Sequence, residues 1–280
     1  MKFYLLCILS LSVFAQEELK DIVFAHTSEK ELKMDIYFPE NKQESRSVLM
    51  WIHGGGWKAG SKKNCKLKWL VEHGYVVASV SYRFSQEAKF PAQIHDCKAA
   101  LRYLKANANK YGLDKNRIAV SGASAGGQLA ALMATSADDE FLDGKLGDYS
   151  NETTQVPVVI DFYGASDFLL REKNQPEKVN KKGGVVYELL GGAVQDKREL
   201  AKKASAAHQV GKGDSAILII HGSQDKVVLP GQSKRLHEAY QIKGLNSQLH
   251  IIDGAGHGGK DFDNEEIKKM ILKFLETNGV

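Results

Sequence analysis

Cysteine is scarce: Cys7, Cys65 and Cys97 are the only three among 280 residues. So few thiols exclude a disulfide-built scaffold. The nine histidines are scattered without Cys or Glu partners at ligand spacing, so no metal framework is indicated. Charge of one sign is lacking as well. Lys and Arg number 38 against 34 Asp and Glu, and an excess of four is too small to argue for nucleic acid or an anionic membrane surface. Past residue 15 no apolar run approaches the ~20 residues that a spanning helix needs. Repeats and low-complexity tracts are absent too, and the length suits one large domain with ample core.

What is present begins with the segment "MKFYLLCILSLSVFA". It has a lysine, an apolar block from Phe3 to Phe14, and Val13 and Ala15 where a signal peptidase prefers small residues. Residues 1–15 therefore read as a secretory signal, leaving 16–280 as one domain in a secreted or periplasmic location, with no membrane segment after cleavage. Tyr4, Leu5 and Leu6 before Cys7 lack the small residues of a lipoprotein cleavage site. Cleavage leaves Cys65 and Cys97, an even pair in a compartment that permits disulfides, both in predicted helices.

Further along, apolar β-rich runs alternate with amphipathic segments, which predicts an α/β fold with a mostly parallel sheet and helices on both faces. "KDIVFAHT" and "LKMDIYFP", joined by "SEKE", fit an antiparallel hairpin. Six more strands follow in "RSVLMWIHG", "YVVASVSYRF", "RIAVSGA", "VPVVIDFYG", "AILIIHG" and "SQLHIIDGAG", making roughly eight. Their continuous apolar character is what burial on both faces requires. Ile94, Cys97, Leu101 and Leu104 repeat at helical spacing, "SAGGQLAALMATSA" reads as a helix pressed closely on the sheet, and "DNEEIKKMILKFLETNG" has helix signals at both ends. Between Asp167 and Ala216 the looser Lys/Gly-rich pattern predicts loops and short helices over the strand ends.

The most specific local motif is "GASAG", Gly122 to Gly126, a G-x-S-x-G placed between the strand "RIAV" and a helix. Glycines two before and two after Ser124 let the backbone turn tightly enough to expose its hydroxyl, as a nucleophile elbow demands. In that architecture the acid and then the histidine follow the serine. Asp225 in "HGSQDKVV" and His257 in "DGAGHGG" each come just after a strand, at the edge where open α/β sheets place their sites. Asp167 is a weaker rival for the acid. Asp161 lies within a strand, and Asp253 reads as a residue of the last turn. His53, His95 and His221 read as hydrogen-bonded structural residues.

A serine that attacks a carbonyl creates negative charge on its oxygen, and aimed backbone N–H groups stabilise that charge by ~3 kcal/mol each. "HGGG" after the buried "VLMWI" offers Gly55 and Gly56 as such donors, with Ala125 as the third. Trp57 is a candidate for the substrate wall or for packing. Neither metal nor organic cofactor is implied.

With these residues assembled, the chain resembles the hormone-sensitive-lipase-like branch of the α/β-hydrolases, and more closely its small secreted acetyl-xylan and feruloyl esterases. "HGGGW", "SVSYRFSQEAKFPAQIHDCKAALRYLKANANKYGLD", "GASAGG", "DFYGASD", "HGSQDKVV" and "GAGHG" carry the likeness over nearly all of the mature chain. It implies a Ser124–His257–Asp225 triad and an ester substrate, either a small molecule or polysaccharide-linked. Amide hydrolysis of the formamidase or peptidase kind uses the same triad and stays open, as does a catalytically silent binding protein. The chain departs from the family at Ala206, where relatives usually have Pro, and in "GGK" after His257, where they carry an acidic residue. The short stretch before the hairpin leaves little for an N-terminal cap. The family topology also sets the helices after the "HGGG" strand and after the next strand on opposite faces, which argues against a Cys65–Cys97 bond.

Overall fold

The computed structural model describes residues 17–40, 45–137 and 139–280; the expected signal segment, 1–15, lies outside the described residues. Eight strands form one sheet: β1 (Glu18–His26), β2 (Glu31–Tyr37), β3 (Arg46–Ile52), β4 (Val76–Val80), β5 (Leu113–Ala123), β6 (Val158–Phe162), β7 (Ala216–Gly222) and β8 (Ser247–Ile252). Their order is β1-β2-β4-β3-β5-β6-β7-β8. β1 and β2 make the expected hairpin, β2 runs antiparallel to β4, and β4, β3, β5, β6, β7 and β8 are mutually parallel.

Alternation along β3 shows why the central strands are apolar throughout. Val48, Met50 and Ile52 enter one core, while Leu49 and Trp51 enter the other. The first core packs under α1 (Ala92–Ala106), α2 (Ala108–Tyr111) and α3 (Ala125–Ala134), with α4 (Glu140–Asp143) beside them. β8 departs from the expected pattern. As an edge strand it stays half-buried, so Gln248 and His250 can interrupt its apolar run.

Between Asp167 and Ala216 lie α5 (Phe168–Asn174), α6 (Pro176–Val179), α7 (Val185–Leu190), α8 (Arg198–Lys203) and α9 (Ala206–Gln209). They form the expected short-helix excursion, and Phe168, Val186, Leu189 and Ala201 bind it to the first core. Ala206 opens α9, buried. Two longer helices close the chain, α10 (Gly231–Ile242) on the first face and α11 (Glu265–Thr277) on the second. Asn264 caps α11 by accepting from Ile267 N at 3.0 Å. Among the described residues no helix is long and apolar enough to cross a membrane.

One helix expectation is corrected. Cys97 lies in α1, but Cys65 precedes a 3-10 turn, Lys68–His73, and is not itself helical. The segment before that turn gives its carbonyls to the sheet: Ser79 Oγ donates to Lys62 O at 2.6 Å and Trp51 Nε1 to Asn64 O at 2.9 Å. Carbonyls used this way cannot build helical turns. Both thiols are free. Cys97 sits in the first core and Cys65 against the second, on opposite faces of the sheet.

Candidate active site

Ser124 stands between β5 and α3 with φ +56° and ψ −115°, a region that costs an L-residue strain and persists only when its surroundings enforce it. They do. A Cβ at Gly122 would lie 2.3 Å from Gly126 O, and one at Gly126 only 2.1 Å from Ile52 O. Both contacts are with backbone, which cannot swing aside. Ser124 N donates to Phe162 O at 2.8 Å, tying the turn to β6.

The three expected polar side chains meet at the carboxyl ends of the strands. Ser124 Oγ lies 2.9 Å from His257 Nε2, and His257 Nδ1 lies 2.6 Å from Asp225 Oδ2. The other oxygen, Asp225 Oδ1, accepts from Val227 N at 2.8 Å and Val228 N at 3.0 Å. His221 is the hydrogen-bonded support the sequence suggests. Its Nε2 donates to Val228 O at 2.8 Å and stands 3.2 Å from Asp225 Oδ2, while Ser233 Oγ bonds its Nδ1 at 2.6 Å. Burial pushes the Asp225 carboxyl up, but the bonds from His221, His257 and Val228 N outweigh it and hold the group well below the usual carboxylate range.

The rival residues have other duties. Asp167 caps α5 through Leu169 N and Leu170 N at 3.0 and 2.9 Å, and faces His208 and Arg235. Asp161 is buried and accepts from Gly164 N at 2.9 Å; burial raises its pKa to about 6. Asp253 accepts from Ser223 Oγ in the last turn. His53 stacks on Tyr82 at 4.5 Å and bonds Gly54 O, and burial lowers its pKa; His95 bonds Phe141 O.

The glycine run leaves β3 as a tight turn, with Gly55 and Gly56 at φ +121° and +60°. A side chain at Gly55 would meet Ala59 O at 2.1 Å. Among the described residues, the N–H groups of Gly55, Gly56 and Ala125 donate to no protein acceptor. Trp57 is packed and also lines the cavity beside Ser124. Only 2% exposed, it donates Nε1 to Gln128 Oε1 at 3.0 Å and meets Phe168 edge-on at 5.7 Å. Gln128, on α3, also donates to Ala204 O at 2.8 Å, so it joins the glycine turn to the α8 end. Sequence reasoning missed Gln128, because a glutamine inside a helix carries no motif.

These groups open into a cavity of about 500 Å³ that Lys66, Tyr163, Arg171, Val185 and Val227 also line. Arg171, buried on α5, donates Nη2 to Val227 O at 3.0 Å, beside the Asp225 loop; burial lowers its pKa to about 10. Tyr163 lies 4.7 Å from the His257 ring. None of these five was singled out from sequence: Tyr163 and Val227 lie within the quoted segments "DFYGASD" and "HGSQDKVV" but carry no chemistry of their own, and Lys66, Arg171 and Val185 come from segments without a recognisable pattern.

A strained serine after a central parallel strand, with the acid and the base following two later strands in that order, defines an α/β-hydrolase. Known proteins narrow this class to its esterase branch. The chain belongs to the BD-FAE family, whose model matches residues 34–240. It is 32% identical over 215 residues to Esterase LipC of Mycobacterium tuberculosis (strain ATCC 25618 / H37Rv), which covers 75% of this chain and 52% of that protein. The chain spans about half the length of the curated relatives it matches (52%, 45% and 46% for three of them). Among solved structures, a truncated carbohydrate esterase from gut microbiota is similar with a TM-score of 0.85 and 29% identity, over 96% of this chain and 99% of that one. Propionate-bound Est2, an esterase of Thermogutta terrifontis, has a TM-score of 0.77 and 26% identity over 93% and 94%.

Proposed function

We propose that the chain is a secreted serine carboxylic-ester hydrolase that removes short acyl groups, mainly acetyl and also feruloyl, from carbohydrate or small alcohol esters. The observation that carries this reading is the line of bonds Ser124–His257–Asp225, at 2.9 and 2.6 Å, beside three backbone N–H groups without acceptors. Ser124 Oγ attacks the ester carbonyl while His257 Nε2 takes its proton. Gly55, Gly56 and Ala125 donate to the oxygen that becomes negative. His257 returns the proton to the leaving alcohol, and Asp225 holds the imidazole with its proton on Nδ1 and stabilises its charge. Water, deprotonated by His257, then attacks the acyl-serine; collapse of the second tetrahedral intermediate frees the acid and restores Ser124.

A cavity of about 500 Å³ with Val185 and Val227 in its lining supports an acyl group of modest size. The likeness to a carbohydrate esterase and to a propionate-bound esterase supports both halves of the substrate. The test is acetate release from acetylated xylan, and ferulate release from feruloylated oligosaccharide, beside turnover of an aryl acetate. Activity on the aryl ester with none on either carbohydrate sinks the carbohydrate assignment. Absence of fluorophosphonate labelling in the folded wild type sinks the hydrolase itself.

A further inference from the structure

A second crevice, of about 250 Å³, adjoins the catalytic cavity and shares Lys66 and Tyr163 with it. Tyr163 is the partition. Its ring centroid lies 4.7 Å from that of His257 on one side and 4.8 Å from that of Phe262 on the other. Its hydroxyl is 3.1 Å from Lys66 Nζ, so the lysine stands over the boundary between the two spaces. The crevice floor is apolar, built from Leu67, Phe262, Ile267 and Ile271, and the half-buried Trp69 forms one side.

The rim has the opposite character. Lys66, Lys260 and Lys268 surround the crevice against the single carboxylate Asp263. Among the described residues Lys66 and Lys260 form no ion pair, whereas Lys268 is paired with Asp263 at 3.7 Å and Glu265 at 3.4 Å, so the uncompensated charge is that of Lys66 and Lys260. The catalytic cavity shares Lys66 with this rim, while its Arg171 is buried with Asp225 close enough to balance its charge. A border with unpaired lysines concentrates a ligand of negative charge.

We propose that this crevice is a subsite for the sugar next to the acylated one, and that it takes a ring bearing a carboxylate or sulfate. The proposal rests on the ester-hydrolase reading above. There the alcohol leaves on the side of His257, whose ring abuts Tyr163, so a glycan continuing from that alcohol passes Lys66 and enters the crevice. The apolar floor receives the C–H face of a pyranose, a contact made without desolvating its hydroxyls, and Trp69, with Lys268 Nζ 5.6 Å from its ring centroid, borders it. The lysines receive the anion.

The experiment compares kcat/KM for acetylated oligosaccharides of equal length that are uronate-bearing, sulfated or neutral, with an aryl acetate as reference. The wild type prefers the anionic glycans roughly tenfold at low salt, and the preference shrinks as salt rises. In Lys260→Ser/Lys268→Ser the ratio of anionic to neutral kcat/KM falls severalfold. In Trp69→Ala the ratio of oligosaccharide to aryl acetate falls. Uronate against sulfate decides which anion is preferred; a clear preference for either supports the subsite. Calorimetry with a deacylated oligouronate on Ser124→Ala reads binding without turnover. Binding that is lost in the double lysine variant supports the subsite, and absent binding overturns it. Equal kcat/KM on neutral and anionic glycans overturns it too, even if aryl acetate is turned over. Failure of a folded wild type to hydrolyse any ester removes the enzymatic reading instead, and the binding assay still judges the crevice.

Discussion

Replacing Asp225 by Asn tests how the site holds its imidazole. The side chain cannot choose its orientation freely. One oxygen accepts from Val227 N at 2.8 Å and Val228 N at 3.0 Å, and the other faces His257 Nδ1 at 2.6 Å. An asparagine must keep its carbonyl oxygen on the two N–H groups, because rotation would oppose its amide donors to theirs. Its NH2 therefore points at His257 Nδ1, which must become an acceptor. The ring proton then sits on Nε2, where the imidazole can no longer take the proton of Ser124. We expect kcat on an aryl acetate to fall ~10⁴-fold, which is about 5.5 kcal/mol, with KM little changed. Asp167→Asn is the paired measurement. Asp167 holds the α5 N-terminus, a task asparagine also performs, so kcat changes less than about threefold and stability by under about 1 kcal/mol. Initial rates normalised to folded protein by circular dichroism settle the matter. A larger loss in Asp167→Asn, or an Asp225→Asn variant within tenfold of wild type, refutes the orientation argument.

Three further expectations concern parts of the molecule away from the acid. Asp161 has a folded pKa of about 6, above its unfolded value of ~3.9, so the native state binds the extra proton between those values and stability falls as pH rises through that window. Asp161→Asn should gain on the wild type by on the order of 2 to 3 kcal/mol between pH 3.5 and pH 8 in urea unfolding; a gain that does not vary with pH contradicts the assignment. Gln128→Leu leaves the Trp57 indole and the Ala204 carbonyl without their partner, costing about 1 to 3 kcal/mol in thermal or denaturant unfolding. Its kcat should drop more than its KM rises, because the glycine turn loses its anchor. Burial pushes the Cys65 thiol up to about 12 and holds the Cys97 thiol well above the usual thiol range, so neither should react with iodoacetamide at pH 8 until urea unfolds the chain. Rapid native labelling, read by mass spectrometry, contradicts that burial.

The catalytic constellation was legible because each member is tied to a backbone requirement. Gly122 and Gly126 announce a turn that only glycine permits, "HGGG" announces a loop with exposed donors, and Asp225 and His257 follow strand ends in a fixed order. Chain order favoured Asp225 over Asp167; Asp225 lies 2.6 Å from His257 Nδ1, while Asp167 caps α5. Cys65 was misplaced in a helix for want of a tertiary fact, namely that Ser79 and Trp51 reach over to claim the carbonyls of its segment. Trp57 was open between two roles, and its place fits both: its indole N–H goes to Gln128 while the residue lines the cavity. Apart from Trp57, the walls were not singled out. Lys66, Arg171, Val185 and Val227 lie on four separate segments, and only the folded sheet brings them to one rim.

The carbonyl of Ile52 lies where side chains on Gly122 and Gly126 would be, 2.8 and 2.1 Å from their hypothetical Cβ atoms. The strand that launches the donor turn is thus pressed main chain to main chain against the turn that carries Ser124. The separation of nucleophile and donors is therefore a gauge cut in the polypeptide itself, with no side chain interposed. Trp69 and Lys260 take no part in that main-chain contact, so a substitution at either leaves the gauge as it is.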